Sequence, residues 1–176
     1  MKNERAMYAI SYGLFVLTAR QGERDNGCII NTAVQVTAQP NRVTIAVNKG
    51  NLTHDMIQET GKFNLSVLSE EADFQLFKRF GFQSGRDSDK FAGTEDQGRR
   101  GENGLLYLTR GTNAWLSCRV VSHLDLGSHT LFLADVEDGD LLNDQASATY
   151  AYYQANIKPR PAAPAAETGK KRWVCT

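Results

Sequence analysis

The sequence is poor in the features that build disulfide scaffolds, Pro-rich rods and membrane spans. It has three cysteines and four prolines in 176 residues. Cys28, Cys118 and Cys175 are odd in number and far apart, with no C-x-x-C pair and no histidine at finger spacing. That spacing argues against a disulfide framework and against a structural zinc site. Cys28 and Cys118 read instead as small apolar filler in strands. No apolar run approaches the roughly 20 residues that span a bilayer. The opening Met1-Lys2-Asn3-Glu4-Arg5 has charge, but no apolar stretch with a small-residue cleavage site follows it. Net charge is missing too, since 20 Lys+Arg balance 20 Asp+Glu. A nucleic-acid or membrane surface built on bulk electrostatics is not expected. Hydrophobic residues at 41% and charged residues at 23% are ordinary globular values. These absences leave the expectation of a soluble, cytoplasmic domain carrying a tail.

Several chemistries also lack their marks. The sequence has no G-x-x-x-x-G-K-[ST] phosphate loop, no G-x-G-x-x-G after a strand, no G-x-S-x-G elbow and no H-E-x-x-H. His54, His123 and His129 show no i, i+4 ligand pair. No metal site is expected.

What is present is mostly β. Tyr12 to Ala19 and Cys28 to Ala38 are β-rich runs, and Val43, Ile45 and Val47 alternate with polar or small residues. The connection between the first two runs reads as longer than a two-residue hairpin, with Asn26-Gly27 at its end. The three runs predict an antiparallel meander. Asn51 or Thr53 caps a short helix to about Thr60, stopped by Gly61. Lys62 to Leu68 is a strand, and Ser69-Glu70-Glu71 opens a second helix with Phe74, Phe77 and Phe80 on its core face. A long Gly/Asp/Arg/Ser loop covers 81–104, a length more often functional than decorative. Strands at Trp115 to Leu124 and His129 to Val136 flank a turn at Asp125-Leu126-Gly127-Ser128. A last ordered piece, Ala148 to Gln154, carries Tyr150, Tyr152 and Tyr153. The fold class is mainly β, an antiparallel barrel with a few short helices. An open sandwich fits the same composition.

Polar residues mark three places. Along the second run, Asn31, Ala33, Gln35 and Thr37 fall on one face, with Thr32, Val34 and Val36 on the other. A core-lining Asn and Gln need hydrogen-bond partners, which a ligand rich in carbonyls and ring nitrogens would supply; a solvated outer face gives the same pattern. Asn48-Lys49-Gly50-Asn51-Leu52-Thr53-His54 leaves a strand and opens a helix. Lys49, the Thr53 hydroxyl and the first-turn N–H groups suit a phosphate, although Asn/Gly/Lys turns are common. Ser84 to Phe91 adds Arg86 and Lys90 in a loop that reads equally as surface.

In order, YGLFVLTA, NGCIINTAVQVTAQP, VTIAVNKGNLTHDMI, FNLSVL, FGFQSGRDSDKFAG and GSHTLFLADV resemble the flavin reductase-like family, the FMN-binding split β-barrels. The resemblance covers Met7 to about Tyr153. QVT, N-K-x-N-x-T-H and F-G-F-x-S-G-R-x-x-D-K-F are particularly similar to flavoprotein modules fused to rubredoxin. It implies a homodimer with FMN in a groove between subunits. Asn31, Thr32, Gln35, Val36 and Thr37 would border the ring and ribityl chain. Asn48, Lys49, Asn51, Thr53 and His54 would hold the phosphate end, with Arg86 and Lys90 nearby. His129, in G-S-H-T, would stand where a nicotinamide approaches, and Tyr150 would cover the flavin. The implied activity is NAD(P)H-dependent flavin reduction, with electrons passing to a rubredoxin and onward to a flavodiiron-type reductase of O2 or NO. A flavoredoxin-like carrier without a nicotinamide site, or a reductase releasing reduced flavin to a monooxygenase, would share the motifs.

The end of the chain has its own character. Lys158 to about Gly169 is a Pro/Ala-rich linker after a flavin domain of residues 1–157. Lys170-Lys171-Arg172-Trp173-Val174-Cys175-Thr176 resembles the opening of a rubredoxin domain. The second cysteine of the first rubredoxin pair is not present, so no complete rubredoxin iron site is expected within these residues.

Overall fold

The structure, a computed structural model, describes residues 3–93 and 96–159. The linker from Arg160 onward and the basic segment ending in Cys175 lie outside the described residues. The elements are strands β1 (Phe15–Gln21), β2 (Arg24–Ile30), β3 (Val34–Ala38) and β4 (Asn41–Asn48), helix α1 (Leu52–Thr60) and strand β5 (Lys62–Leu68). Helix α2 (Phe74–Gly81) is followed by a small hairpin of β6 (Gly98–Arg100) and β7 (Leu106–Leu108). The long strands β8 (Thr112–Asp125) and β9 (His129–Leu141) come next, and one helical turn, α3 (Tyr150–Tyr152), runs into a π-helical turn at Tyr153–Ile157.

Seven strands form one antiparallel sheet in the order β2-β1-β5-β8-β9-β4-β3. Mainly antiparallel β with short helices is therefore the architecture. The expected meander is not what forms. β1 and β2 make a hairpin with a tight two-residue turn, Gln21 pairing with Arg24, so Asn26-Gly27 lies inside β2 rather than in a loop. The long second run splits at Asn31-Thr32-Ala33, and β3 pairs with β4 at the opposite edge of the sheet. The break has a physical cause. Thr32 Oγ1 donates to the Ala46 carbonyl at 2.8 Å and accepts from the Ala46 N–H at 3.1 Å, taking a place on β4 that a ladder residue would otherwise fill. No ladder joins β2 to β3 among the described residues. The sheet instead brings β2, at one edge, and β4, next to the other edge, into a common core.

That core contains Leu17 of β1, Cys28 and Ile30 of β2, Val43, Ile45 and Val47 of β4, and Phe132 of β9, with Met56 and Ile57 of α1 closing one side. β4 shows the alternation read from sequence, with its odd residues Val43, Ile45 and Val47 buried. A second cluster, with Val16, Leu68, Phe77, Phe80 and Tyr153, packs α2 and the C-terminal turn on the other face of β1. Successive residues Val16 and Leu17 thus point to different cores, as a strand requires.

α1 follows expectation. Gly61 ends it at φ 67°, a left-handed position where its N–H reaches Ile57 O at 2.8 Å. α2 starts later than the sequence suggests, at Phe74, with the Asp73 carboxylate accepting from the Leu76 N–H at 2.9 Å. The backbone N–H groups of Ser69 and Glu70 are already committed to Gly111 O and Ala146 O, so the helix begins only after them. Among the described residues, no helix is long and apolar enough to cross a membrane.

Phe63 is fully buried between β1 and β8 in the main core. Phe63→Ala should cost about 3–5 kcal/mol, read as a lower urea midpoint with an unchanged slope. A loss below about 1 kcal/mol would mean the site collapses far more readily than a close-packed core allows.

Candidate functional site

The first turn of α1 faces the loop that follows α2, and a cavity of about 130 Å3 lies between them. Asn51, Thr53, Ser84, Gly85, Lys90 and Asn26 line it. That volume is below the roughly 300 Å3 of pockets that enclose whole small molecules, and suits a single charged group. The first residues of helix α1, Leu52 and Thr53, form part of the wall, while the His54 N–H is already donated to Asn51 O at 3.0 Å. Asn51 occupies the N-cap position without using its side chain as a cap.

Lys90 is buried, and its ammonium donates to the carbonyls of Gly27 at 2.9 Å and Phe80 at 3.3 Å. No carboxylate meets it among the described residues. Burial pushes its pKa down, partly offset by the nearby Cys28. An anion in the cavity would act the other way and favour the ammonium. Cys28 forms part of the wall, and burial pushes its thiol up against the opposing pull of Thr53, Lys90 and Asn51. Cys118 is pushed up to about 12 by burial, with Glu137 adding to it, so both thiols are protonated filler at neutral pH.

Asn26 was not singled out by sequence, because Asn-Gly reads as a turn. Buried inside β2, it donates through Nδ2 to Thr53 Oγ1 at 2.9 Å, tying the strand to the start of α1. The main signal was an Asn in a strand interior, where that residue type is depleted. Gly85 packs on it so closely that an added Cβ would come within 2.2 Å of Asn26 Oδ1. Arg24, from β2, donates to the Gly85 carbonyl and ties down the loop. Ser84 and Gly85 were named only within their loop, and no single-residue pattern marks them.

The remaining candidates do not line this cavity. Arg86 is exposed and pairs with Asp55, one turn into α1, at 2.6 Å. His54 is buried, with Nδ1 3.0 Å from Asp55 Oδ1 and Nε2 2.8 Å from Thr130 Oγ1, so its ring is occupied in holding α1 to β9. Asn48 and His129 face each other across β4 and β9. The Asn48 side chain accepts from the Gly50 N–H at 2.8 Å, and Lys49 reaches Asp125 at 2.7 Å. His129 is half-buried, with Nδ1 2.9 Å from Ser128 Oγ.

Asn31 and Thr32 sit at the crossing from β2 to β3. Gln35, Val36 and Thr37 lie on β3, where every residue is exposed, so the expected division into an inner and an outer face does not arise. Gln35 donates to Asn41 Oδ1 at 3.0 Å and Thr37 to Pro40 O at 2.6 Å. Tyr150 lines a different cleft, shared with Ile29, Phe82 and Tyr153. Among the described residues no group of three or more His, Cys, Asp or Glu is placed to hold a metal ion.

Residues 7–160 match the model of the Flavin reductase like domain, and the chain belongs to that family of flavin-dependent oxidoreductases. It is 37% identical over 148 residues to a ferric-chelate reductase (NAD(P)H) of Archaeoglobus fulgidus, covering 84% of this chain and 86% of that protein. It is 40% identical over 149 residues to the high molecular weight rubredoxin of Moorella thermoacetica, covering 85% of this chain but only 64% of the relative. Among solved structures, the NADH:FAD oxidoreductase SgcE6 of Streptomyces globisporus C-1027, in complex with NAD and FAD fragments, superposes with a TM-score of 0.73 at 25% identity, covering 93% of this chain and 92% of that one.

The Asp55 pair offers a pH test. Hydrogen bonds from His54 and Arg86 hold its carboxyl below the usual 3.8. A lowered folded value stabilises the protein above the unfolded pKa and is lost as pH falls through the folded one. Asp55→Asn should therefore cost at most about 1 kcal/mol at pH 7, because the pair is exposed, and should flatten the loss of stability below about pH 4. Urea unfolding of both proteins at neutral and acid pH checks this; a steeper acid limb in the variant would contradict it.

Proposed function

We propose that this chain binds FMN and uses NAD(P)H to reduce it, as the flavin module of an electron-transfer chain. The observation that carries the reading is the cavity at the start of α1, where Lys90, Thr53 and Asn51 meet the loop of Ser84 and Gly85. A buried ammonium without a carboxylate, a hydroxyl and a helix start without a side-chain cap suit a phosphate monoester. Bound flavin supplies the hydride-accepting and one-electron chemistry.

The residues of the chain then have separate tasks. Lys90 and the first-turn N–H groups of α1 hold the phosphate, with Thr53 kept in place by Asn26. Lys49 and Arg86 add positive charge at the rim, each shared with an aspartate, Asp125 or Asp55. Asn31, Thr32, Gln35, Val36 and Thr37 border the ring and ribityl chain. Across β4, His129 faces Asn48, and its Nε2 has no protein partner among the described residues. That nitrogen is free to orient an incoming nicotinamide and to exclude water beside it.

Exposed apolar residues on β3 (Val34, Val36) and at the tip of the β8–β9 hairpin (Leu124, Leu126) support a homodimer in which a second subunit covers this side. The longer Moorella relative supports a rubredoxin partner, fused or separate. A flavodiiron-type acceptor further along belongs to the same reading.

The direct test is to load the chain with FMN anaerobically and add NADH or NADPH. Loss of the oxidised flavin absorbance is expected with at least one of them; tight flavin reduced by dithionite but inert to both would make the chain a carrier. His129→Ala should slow that reduction by about 5- to 10-fold, the worth of one ordinary hydrogen bond, with flavin content nearly intact. Gly85→Ala should act oppositely, lowering flavin retention because its Cβ forces Asn26 off Thr53. Full retention in that variant would remove the loop from the phosphate site.

A further inference from the structure

Helix α2 borders a second polar cavity that the flavin reading leaves unused. The cleft between α2 and the segment 108–111 has a volume of about 370 Å3, and Arg79, Arg110, Gln97, Gln75, Glu71 and Asp73 contribute to its lining. That volume is within the range of small-molecule sites.

Its charges are unusually idle. Arg79 is half-buried, and its Nη1 is shielded from solvent without any hydrogen-bond acceptor among the described residues. A helical side chain leans towards the helix start, which carries Arg79 back along the α2 surface over Gln75 and Leu76, both in the cleft wall. Arg110 stands exposed in the same cleft. Neither guanidinium is in an ion pair among the described residues. Two carboxylates share the lining, Asp73 as the N-cap of α2 and the exposed Glu71, and neither pairs with Arg79 or Arg110.

The cleft presents Arg79 and Arg110 as wall cations without an ion partner among the described residues, while the Arg79 Nη1 edge is closed to solvent. The planar guanidinium is matched best by the paired oxygens of a carboxylate or phosphate. We propose that this cleft binds a small oxyanionic ligand, a carboxylate or a phosphate, held between Arg79 and Arg110 with the Gln97 amide as a further donor. The site is separate from the flavin phosphate cavity, which none of these three residues lines.

The test is calorimetric titration of the purified full chain with citrate and, separately, with pyrophosphate, at constant ionic strength. The same titrations are run on Arg79→Met and Arg110→Gln, with flavin content and melting temperature recorded for each. Binding of at least one probe is expected, weakened at least tenfold by either substitution while flavin content stays unchanged. Preference for citrate assigns a carboxylate ligand, and preference for pyrophosphate a phosphorylated one. Should Arg79→Met fail to fold, Arg110→Gln decides. The proposal is overturned if neither probe binds the parent chain, or if the affinity survives substitution, which would place the anion elsewhere. A chain without flavin that still shows arginine-dependent binding would separate this site from the flavin reading.

Discussion

The hydroxyl of Thr32, closing on both backbone groups of Ala46, is the constraint on which the rest of the molecule depends. It lets the chain leave β2 at one edge of the sheet and enter β3 at the other without stranding the polar groups of β4. Because of that crossing, β2 at one edge and β4 beside the other share one core, and Cys28 and Ile30 pack in the same cluster as Val43 and Ile45. Had the second β-rich run continued as a single strand, its residues would have stayed at one edge.

The crossing also fixes where charge can collect. β2 brings Asn26 to the first turn of α1, and the loop after α2 closes over both. Lys90 is then trapped with carbonyl partners only. Such a lysine is expensive in an empty interior and reasonable beside an anion. The cavity is thus built from element ends and one loop, while its rigidity comes from the sheet behind it.

Membership of the flavin reductase like family rests on residues 7–160, and the likeness to a ferric-chelate reductase extends over most of both chains. The match to a longer rubredoxin-named protein concerns only part of that relative.

Local patterns determined much. The alternation of Val43, Ile45 and Val47 marked β4, Gly61 marked the end of α1, and the bounds of β5 were readable to the residue. These are properties of a few adjacent residues and their period, so sequence carries them in full. The ordered motifs were enough to identify the family. Tertiary structure alone decided the rest. The split of the second run, the late start of α2 and the inward turn of His54 each depend on partners far along the chain, at Ala46, at Gly111 and Ala146, and at Thr130. Asn26 read as a turn residue because its partner, Thr53, is 27 residues away. A hydrogen bond to a distant residue leaves no periodic trace. The sequence by itself therefore determined β4, β5, the end of α1 and the family, and only the fold decided where the second run splits and which polar residues share a cavity.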